Sequence, residues 1–254
     1  MNGNVRKNKL SDFVDVRANG KIAMKLQDND EIKTVETCTD IDDILITTSK
    51  GQCIRFKVTD IRLFVGRSST GVRGIRLGKD DKVISSSIIK SMDTTTEERA
   101  AYIKMSRAVR GETEYDNIQD EISDNVSPAV LSDEKYAEMG ASEQFILSIS
   151  TNGFGKRTSA FEYRVTGRGG KGIIAMVVNE RNGNIADSFP VDTSNQIILV
   201  TNKGKLIRCP VDDIRIASRS TQGVKIFDID EDEQVVSVER LGDLETENDE
   251  VEDE

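Results

Sequence analysis

Runs of five or six apolar and β-branched residues recur along the chain, and each is closed by a polar pair and a glycine. Ile44–Thr48 runs into Ser49-Lys50-Gly51, Phe145–Ile149 is followed by Thr151-Asn152-Gly153, and Gln196–Thr201 leads to Asn202-Lys203-Gly204. Such short, β-branched runs predict strands rather than helices. The glycines predict hairpins, because these turns need a residue that tolerates positive φ. A second strand is expected directly after the turn, at Cys53–Phe56 and Leu206–Cys209. A third is expected at Lys21–Met24, Gly172–Val178 and Val224–Phe227. A fourth follows an acidic or polar turn, at Val83-Ile84 and Val235-Val236. Four strands per unit predict a blade.

Aligned on the turn glycine, four cassettes begin at Gly3, Gly51, Gly153 and Gly204, each with a basic residue four positions on. A second Gly-and-basic cluster follows in each: Asn19-Gly20-Lys21, Thr70-Gly71-Val72-Arg73-Gly74, Gly167–Gly172 and Thr221-Gln222-Gly223-Val224-Lys225. A period of about 50 residues is that of propeller blades and related arrays. The expected fold is all-β, a propeller-like array of four-stranded blades at about 1–40, 41–90, 145–194 and 195–240. Residues 91–144 interrupt the spacing as an acidic, partly helical insertion. In it Thr96 is expected to cap a helix with Ala101, Met105 and Ala108 on one face, and a second short helix is expected over Ser132–Gly140. Gly111–Pro128 reads as mobile, and 241–254 as a disordered acidic tail. The first cassette opens directly on its turn, which reads as part of a longer chain.

The net charge of −10 conceals a segregated distribution. With 91–144 and 228–254 set aside, the repeats hold 18 acids against 29 bases. A positive body beside acidic segments is the asymmetry of a polyanion-binding protein. The chain has no histidine, and Cys38, Cys53 and Cys209 lack metal-ligand spacing, so they read as reduced, packed thiols. No apolar stretch reaches the roughly 18 residues of a membrane span, and no secretory signal opens the chain. A cytoplasmic protein without membrane partners is expected.

With four cassettes, the Thr70–Leu77 run (Thr-Gly-Val-Arg-Gly-Ile-Arg-Leu), the Asn152–Thr158 run (Asn-Gly-Phe-Gly-Lys-Arg-Thr) and an acidic terminus, the chain resembles the C-terminal domains of DNA gyrase A subunits. The resemblance implies a β-pinwheel whose basic rim binds and wraps double-stranded DNA, here as the last four of six blades. It also implies partners: the rest of the gyrase A subunit, and the gyrase B subunit, in an A2B2 assembly that introduces negative supercoils. ATP and Mg would act elsewhere in that assembly, and no cofactor is expected in this chain. None of Tyr102, Tyr115, Tyr136 and Tyr163 matches the family's catalytic tyrosine, so no catalytic residue is expected here, although the assembly as a whole would be an isomerase. Arg168–Gly172 resembles the second half of the family's signature box, with Thr166 and Gly167 where the box has Gln and Arg. The equivalent domain of topoisomerase IV and a protein-binding propeller scaffold are the alternative readings.

The chemistry expected is electrostatic: each Lys or Arg that neutralises a phosphate releases condensed counterion. Lys21, Lys25, Arg67, Arg73, Arg76, Arg168, Lys171, Arg219 and Lys225, in or beside the second clusters, are the candidate DNA contacts. The glycines there are required by blade turns in any case, and would also let a phosphate approach closely. Arg55, Arg62, Arg208 and Arg215 are expected to serve packing, pairing with Asp60, Asp212 or Asp213 between blades; Lys156 and Arg157 are open to either role. Asp42-Asp43 and Asp80-Asp81 read as solvated acids. Gly167–Gly172 spells a dinucleotide-binding fingerprint, but a β-branched run follows where that fingerprint requires a helix.

Overall fold

The computed structural model describes residues 2–16, 18–66, 68–111, 130–230 and 232–242. Their regular structure is mostly antiparallel β, in chain order β1 (Asn4–Val5), β2 (Asp42–Thr48), β3 (Gln52–Lys57), β4 (Val72–Arg73), β5 (Val83–Lys90), α1 (Thr96–Val109), α2 (Asp133–Ala141), β6 (Phe145–Ser150), β7 (Phe154–Ser159), β8 (Ile173–Ile174), β9 (Ile185–Val191), β10 (Gln196–Thr201), β11 (Leu206–Pro210), β12 (Val224–Lys225) and β13 (Val235–Leu241). No helix among the described residues is long and apolar enough to cross a membrane.

Three strands of each of the last three cassettes form one sheet, in the orders β5-β2-β3, β9-β6-β7 and β13-β10-β11. The fourth strand is exchanged. β8 of the third cassette pairs with β3 of the second, β12 of the fourth with β7 of the third, and β4 of the second with β1 of the first. The expectation of four strands from one unit is therefore corrected: a blade has three strands of its own and borrows one. The physical reason is the open edge of the second strand, whose unpaired backbone groups the next cassette covers. Lys21–Met24, expected as a strand, forms none and joins no sheet among the described residues. Ile22 there is 75% exposed.

Both faces of β2 and β6 are buried, which is why they read as nearly unbroken apolar runs, whereas β10 alternates buried and half-buried positions. Ile44 and Ile46 of β2 pack with Ile54, Phe56 and Ile75 in a core that Val5 of the first cassette also joins, whereas Leu45 turns into the next core with Ile146, Phe154 and Tyr163. Leu147 and Ile149 of β6 join Ile197, Leu199 and Val238 in a third. The cores thus lie between blades, and at roughly 1.5–3 kcal/mol per fully buried aliphatic side chain they bind neighbouring blades together. Gly51 shows how tightly. It closes the β2–β3 turn at φ +84°, its carbonyl accepts from the Ala175 N–H at 2.7 Å across the blade boundary, and a Cβ there would overlap the Met176 carbonyl oxygen.

In the insertion, α1 is capped by Thr95 rather than Thr96, through a reciprocal box with Glu98. Its buried face carries Ala101, Tyr102, Ile103 and Ser106, while Met105 and Ala108 are exposed, which corrects the expected face. The docking partner decides this: Tyr102 packs on Phe161 of the third blade at 4.9 Å between ring centroids, beside Met139 of α2. Most of the segment expected to be mobile, and nearly all of the acidic tail, lie outside the described residues.

Candidate nucleic-acid interface

The second Gly-and-basic clusters follow one another around the molecule, joined by backbone hydrogen bonds. Lys25 of the first cassette donates its N–H to Ser69 O of the second at 3.2 Å. Arg76 of the second donates to Gly170 O of the third at 2.8 Å, and the Gly169 N–H to Gly74 O. Val177 of the third donates to Thr221 O of the fourth at 3.0 Å. Close approach requires glycine at one corner of this track: Gly172, at φ +78°, lies so near Cys53 O that a Cβ would overlap it. That space is filled by the preceding blade, so at Gly172 the architectural reading of the cluster holds.

Exposed positive side chains are carried on this track. Lys25, Arg73, Arg76 and Lys171 are exposed and form no ion pair among the described residues. Arg168 is exposed too, held in place by Nε on Asp60 O at 2.9 Å and Nη1 on Arg73 O at 3.1 Å. Arg73, Arg76, Arg168 and Lys171 are therefore brought together where the second and third clusters meet. Lys21 is exposed, with Nζ on Asp12 O at 3.0 Å. Lys225 is exposed but pairs with Asp228, so its charge is partly offset. Arg67 lies outside the described residues.

Arg219 is a correction. It is 6% exposed, donates through Nη1 to Ile174 O, and its own N–H donates to the Glu162 carboxylate at 2.7 Å. Its loop is drawn inward by Lys156, fully buried, whose ammonium donates to the Ser218, Arg219 and Thr221 carbonyls at 2.7, 2.6 and 3.1 Å. Lys156, left open by the sequence, is thus an internal tie between blades.

The basic residue four positions after the turn glycine is a second tie. Lys7 donates to Val58 O at 3.2 Å, Arg55 to Ala160 O at 2.8 Å, and Arg157 to Ile214 O at 2.6 Å, each reaching the 3-10 turn region of the following blade. Burial draws the Arg55 guanidinium below the usual arginine range, and Asp43 beside it opposes this at 2.8 Å. Asp43 is itself fully buried, so the solvated reading of that acid is corrected. Arg157 does pair with Asp212 across the boundary, at 3.5 Å. Arg208 meets Gln196 of its own blade instead.

Arg62, Arg164 and Arg215 stand eleven residues after the turn glycines Gly51, Gly153 and Gly204. All three are exposed, and Arg62 stacks on Phe64, 4.4 Å from its centroid, two residues from the Asp60 carbonyl that holds Arg168. Gly167–Gly172 leads into β8 and not a helix, which removes the dinucleotide reading. Cys38 is exposed, Cys209 intermediate and Cys53 buried, all as free thiols, and burial raises the Cys53 thiol to about 12.

Comparison with known proteins agrees with this geometry. The family model described as "DNA gyrase C-terminal domain, beta-propeller" matches residues 1–39, 42–90, 144–192 and 195–241. The DNA gyrase A subunit of Granulibacter bethesdensis is 44% identical over 247 residues, covering 93% of this chain and 26% of the relative. That of Rickettsia bellii is 41% identical, covering 98% and 27%, and that of Escherichia coli K12 34%, covering 94% and 22%. The chain thus spans about a quarter of the length of these relatives. Among solved structures, a DNA gyrase A C-terminal domain superposes with a TM-score of 0.65 at 19% identity, over 94% of this chain and 62% of that one. The C-terminal domain of DNA topoisomerase IV gives 0.69 at 18%, over 95% and 59%, and these two likenesses speak to the fold. With four matched segments spanning its four cassettes, the chain belongs to the DNA gyrase C-terminal domain family.

Proposed function

We propose that this chain binds double-stranded DNA along its outer perimeter and bends it, as the wrapping domain of a gyrase A subunit. One observation carries the reading: successive basic loops are linked edge to edge by backbone hydrogen bonds, so exposed Lys25, Arg73, Arg76, Arg168 and Lys171 lie along a continuous track. A duplex following that track exchanges condensed counterions for these side chains. The contacts reach phosphates rather than base edges, so they set position, and sequence preference is left to the ease of bending. Because the blades are locked by exchanged strands and buried cations, the track is stiff, and the DNA is the partner that deforms.

In this reading the chain is the DNA-handling part of an A2B2 topoisomerase in the bacterial cytoplasm, on the chromosome. ATP hydrolysis, Mg binding and strand cleavage belong to other parts of that assembly. Identity of 34–44% to gyrase A subunits supports gyrase over topoisomerase IV. The test is a gel shift on linear duplex over a salt series. Binding that falls steeply with salt, by roughly three to five decades between 50 and 200 mM for about 6–10 contacts, is expected. Absent or salt-insensitive binding would favour a protein-binding scaffold.

A further inference from the structure

One junction is made three times, between the first and second, the second and third, and the third and fourth cassettes. Its register does not vary. The carbonyl of the turn glycine accepts two N–H groups from the next cassette: Gly3 from Gly74 and Ile75, Gly51 from Ala175 and Met176, Gly153 from Ile226 and Phe227. These donors stand three and four residues after Gly71, Gly172 and Gly223, which have φ of +80°, +78° and +73° and press on the backbone of the preceding blade. Both halves of a further junction are present, and neither is joined. Gly204 has the turn conformation, φ +79°, yet its carbonyl accepts no backbone hydrogen bond among the described residues, and no neighbouring blade comes within 4 Å of a Cβ placed there. Gly20 has the donor conformation, φ +75°, with equally open space around it. Ala23 and Met24, three and four residues on, donate to no backbone carbonyl among the described residues.

Side-chain burial divides in the same way. Leu45 faces Arg55, Leu147 faces Arg157 and Ile198 faces Arg208 in their hairpins, but the two leucines are buried against the next blade and Ile198 is only half-buried. Leu206 and Val236 beside it are 62% and 60% exposed. On the donor side, the first residue of the 3-10 turn is buried as Val58, Ala160 and Val211, yet in the first cassette it is Leu10, 73% exposed. Arg208, which matches the ties Arg55 and Arg157, reaches no following turn and meets Gln196 of its own blade. An open strand edge beside uncovered apolar side chains is a template for pairing. We propose that the two halves join between molecules, the Gly20–Met24 loop and the Leu10–Phe13 turn of one copy seating head to tail on the β11 edge of a second. In that junction Ala23 and Met24 donate to the Gly204 carbonyl, and Arg208 reaches the carbonyls of the Leu10–Phe13 turn beside Asp12. A second copy is the occupant because donor and acceptor match in register and belong to one chain that does not join them itself. The contact is heterologous, so each pair leaves one half free at either end. It needs no DNA, and it is tested apart from the proposed function.

The test is sedimentation velocity of the 254-residue chain, without DNA, over a roughly hundredfold range of concentration. The weight-average mass should rise with concentration above that of one chain. Leu206→Lys and Leu10→Lys each change an exposed side chain on one half only, and each should weaken association by about tenfold or more. Mixed together, the two variants hold one intact donor and one intact acceptor between them, so a heterodimer should form and grow no further. Val109→Lys, at an exposed position of α1, should leave association unchanged. Circular dichroism checks folding, and if Leu10→Lys fails to fold, Ala23→Pro, which removes a donor N–H, takes its place. A chain that stays monomeric at every concentration would overturn the proposal, as would association that neither variant weakens or a mixture of the variants that stays monomeric. Association abolished by Leu206→Lys but untouched by Leu10→Lys would overturn it too, because that result marks β11 pairing with β11.

Discussion

The guanidinium of Arg55 crosses a blade boundary to donate to the Ala160 carbonyl at 2.8 Å while Nε bonds the buried carboxylate of Asp43 at 2.9 Å. One side chain therefore neutralises an internal charge and ties two blades. Replacing it by methionine keeps much of the volume but leaves Asp43 buried without its partner, a change that typically costs about 3–5 kcal/mol. Urea unfolding of Arg55→Met should show a loss of that size. A loss below about 1 kcal/mol would remove the tie from the account.

Gly172 makes the close approach on which the borrowed strand depends. Gly172→Ala meets two obstacles at once, a left-handed φ and the Cys53 carbonyl, and should destabilise by roughly 1–3 kcal/mol. Gly78→Ala, where no atom lies within 4 Å of the added Cβ, should fall within about 0.5 kcal/mol of the parent. Denaturant midpoints of the two variants measure the contrast.

These two positions also show what was legible in the sequence. The runs Ile44–Thr48 and Phe145–Ile149 declare strands because both faces are buried against different blades, and the turn glycines declare hairpins because few other residues accept their φ. The exchange was not legible. Two-residue strands such as Ile173–Ile174 carry no periodicity, and their partner is set by the tertiary edge they cover. Side-chain direction was equally hidden in the clusters: Arg168 and Arg219 both stand in glycine- or serine-rich loops, yet Lys156 and Glu162 pull the second inward. Nothing near Arg219 in the sequence announces a lysine 63 residues away.

Glu233 gives the fold a pH dependence. Hydrogen bonds from Lys205 and Thr201 lower its carboxyl to about 2. A group depressed in the folded state contributes stability that is present above its unfolded value, about 4.3, and is lost as pH falls toward about 2. Thermal melts of Glu233→Gln should therefore change less than those of the parent between about pH 5 and 2, in steps of about one unit. Parallel curves would contradict the assignment.

On the perimeter, Arg168→Ala with Lys171→Ala should lower the slope of log affinity against log salt by about two, since each phosphate contact contributes about 0.9. Arg219→Ala, at a buried position, should lower stability without the same effect on slope in the folded protein. Fluorescence anisotropy of a labelled duplex over a salt series separates the two outcomes.

The central claim is that the linked basic loops bend DNA along a curved track, and the most direct measurement is the linking number captured on them. Nicked circular DNA is saturated with the chain at low salt, sealed with ligase and stripped of protein, and its topoisomers are resolved on a gel. The account predicts a distribution displaced from that of circles sealed without protein, with the displacement shrinking in the Arg73, Arg76, Arg168 and Lys171 alanine variant. Superimposable distributions under conditions of demonstrated binding would contradict it.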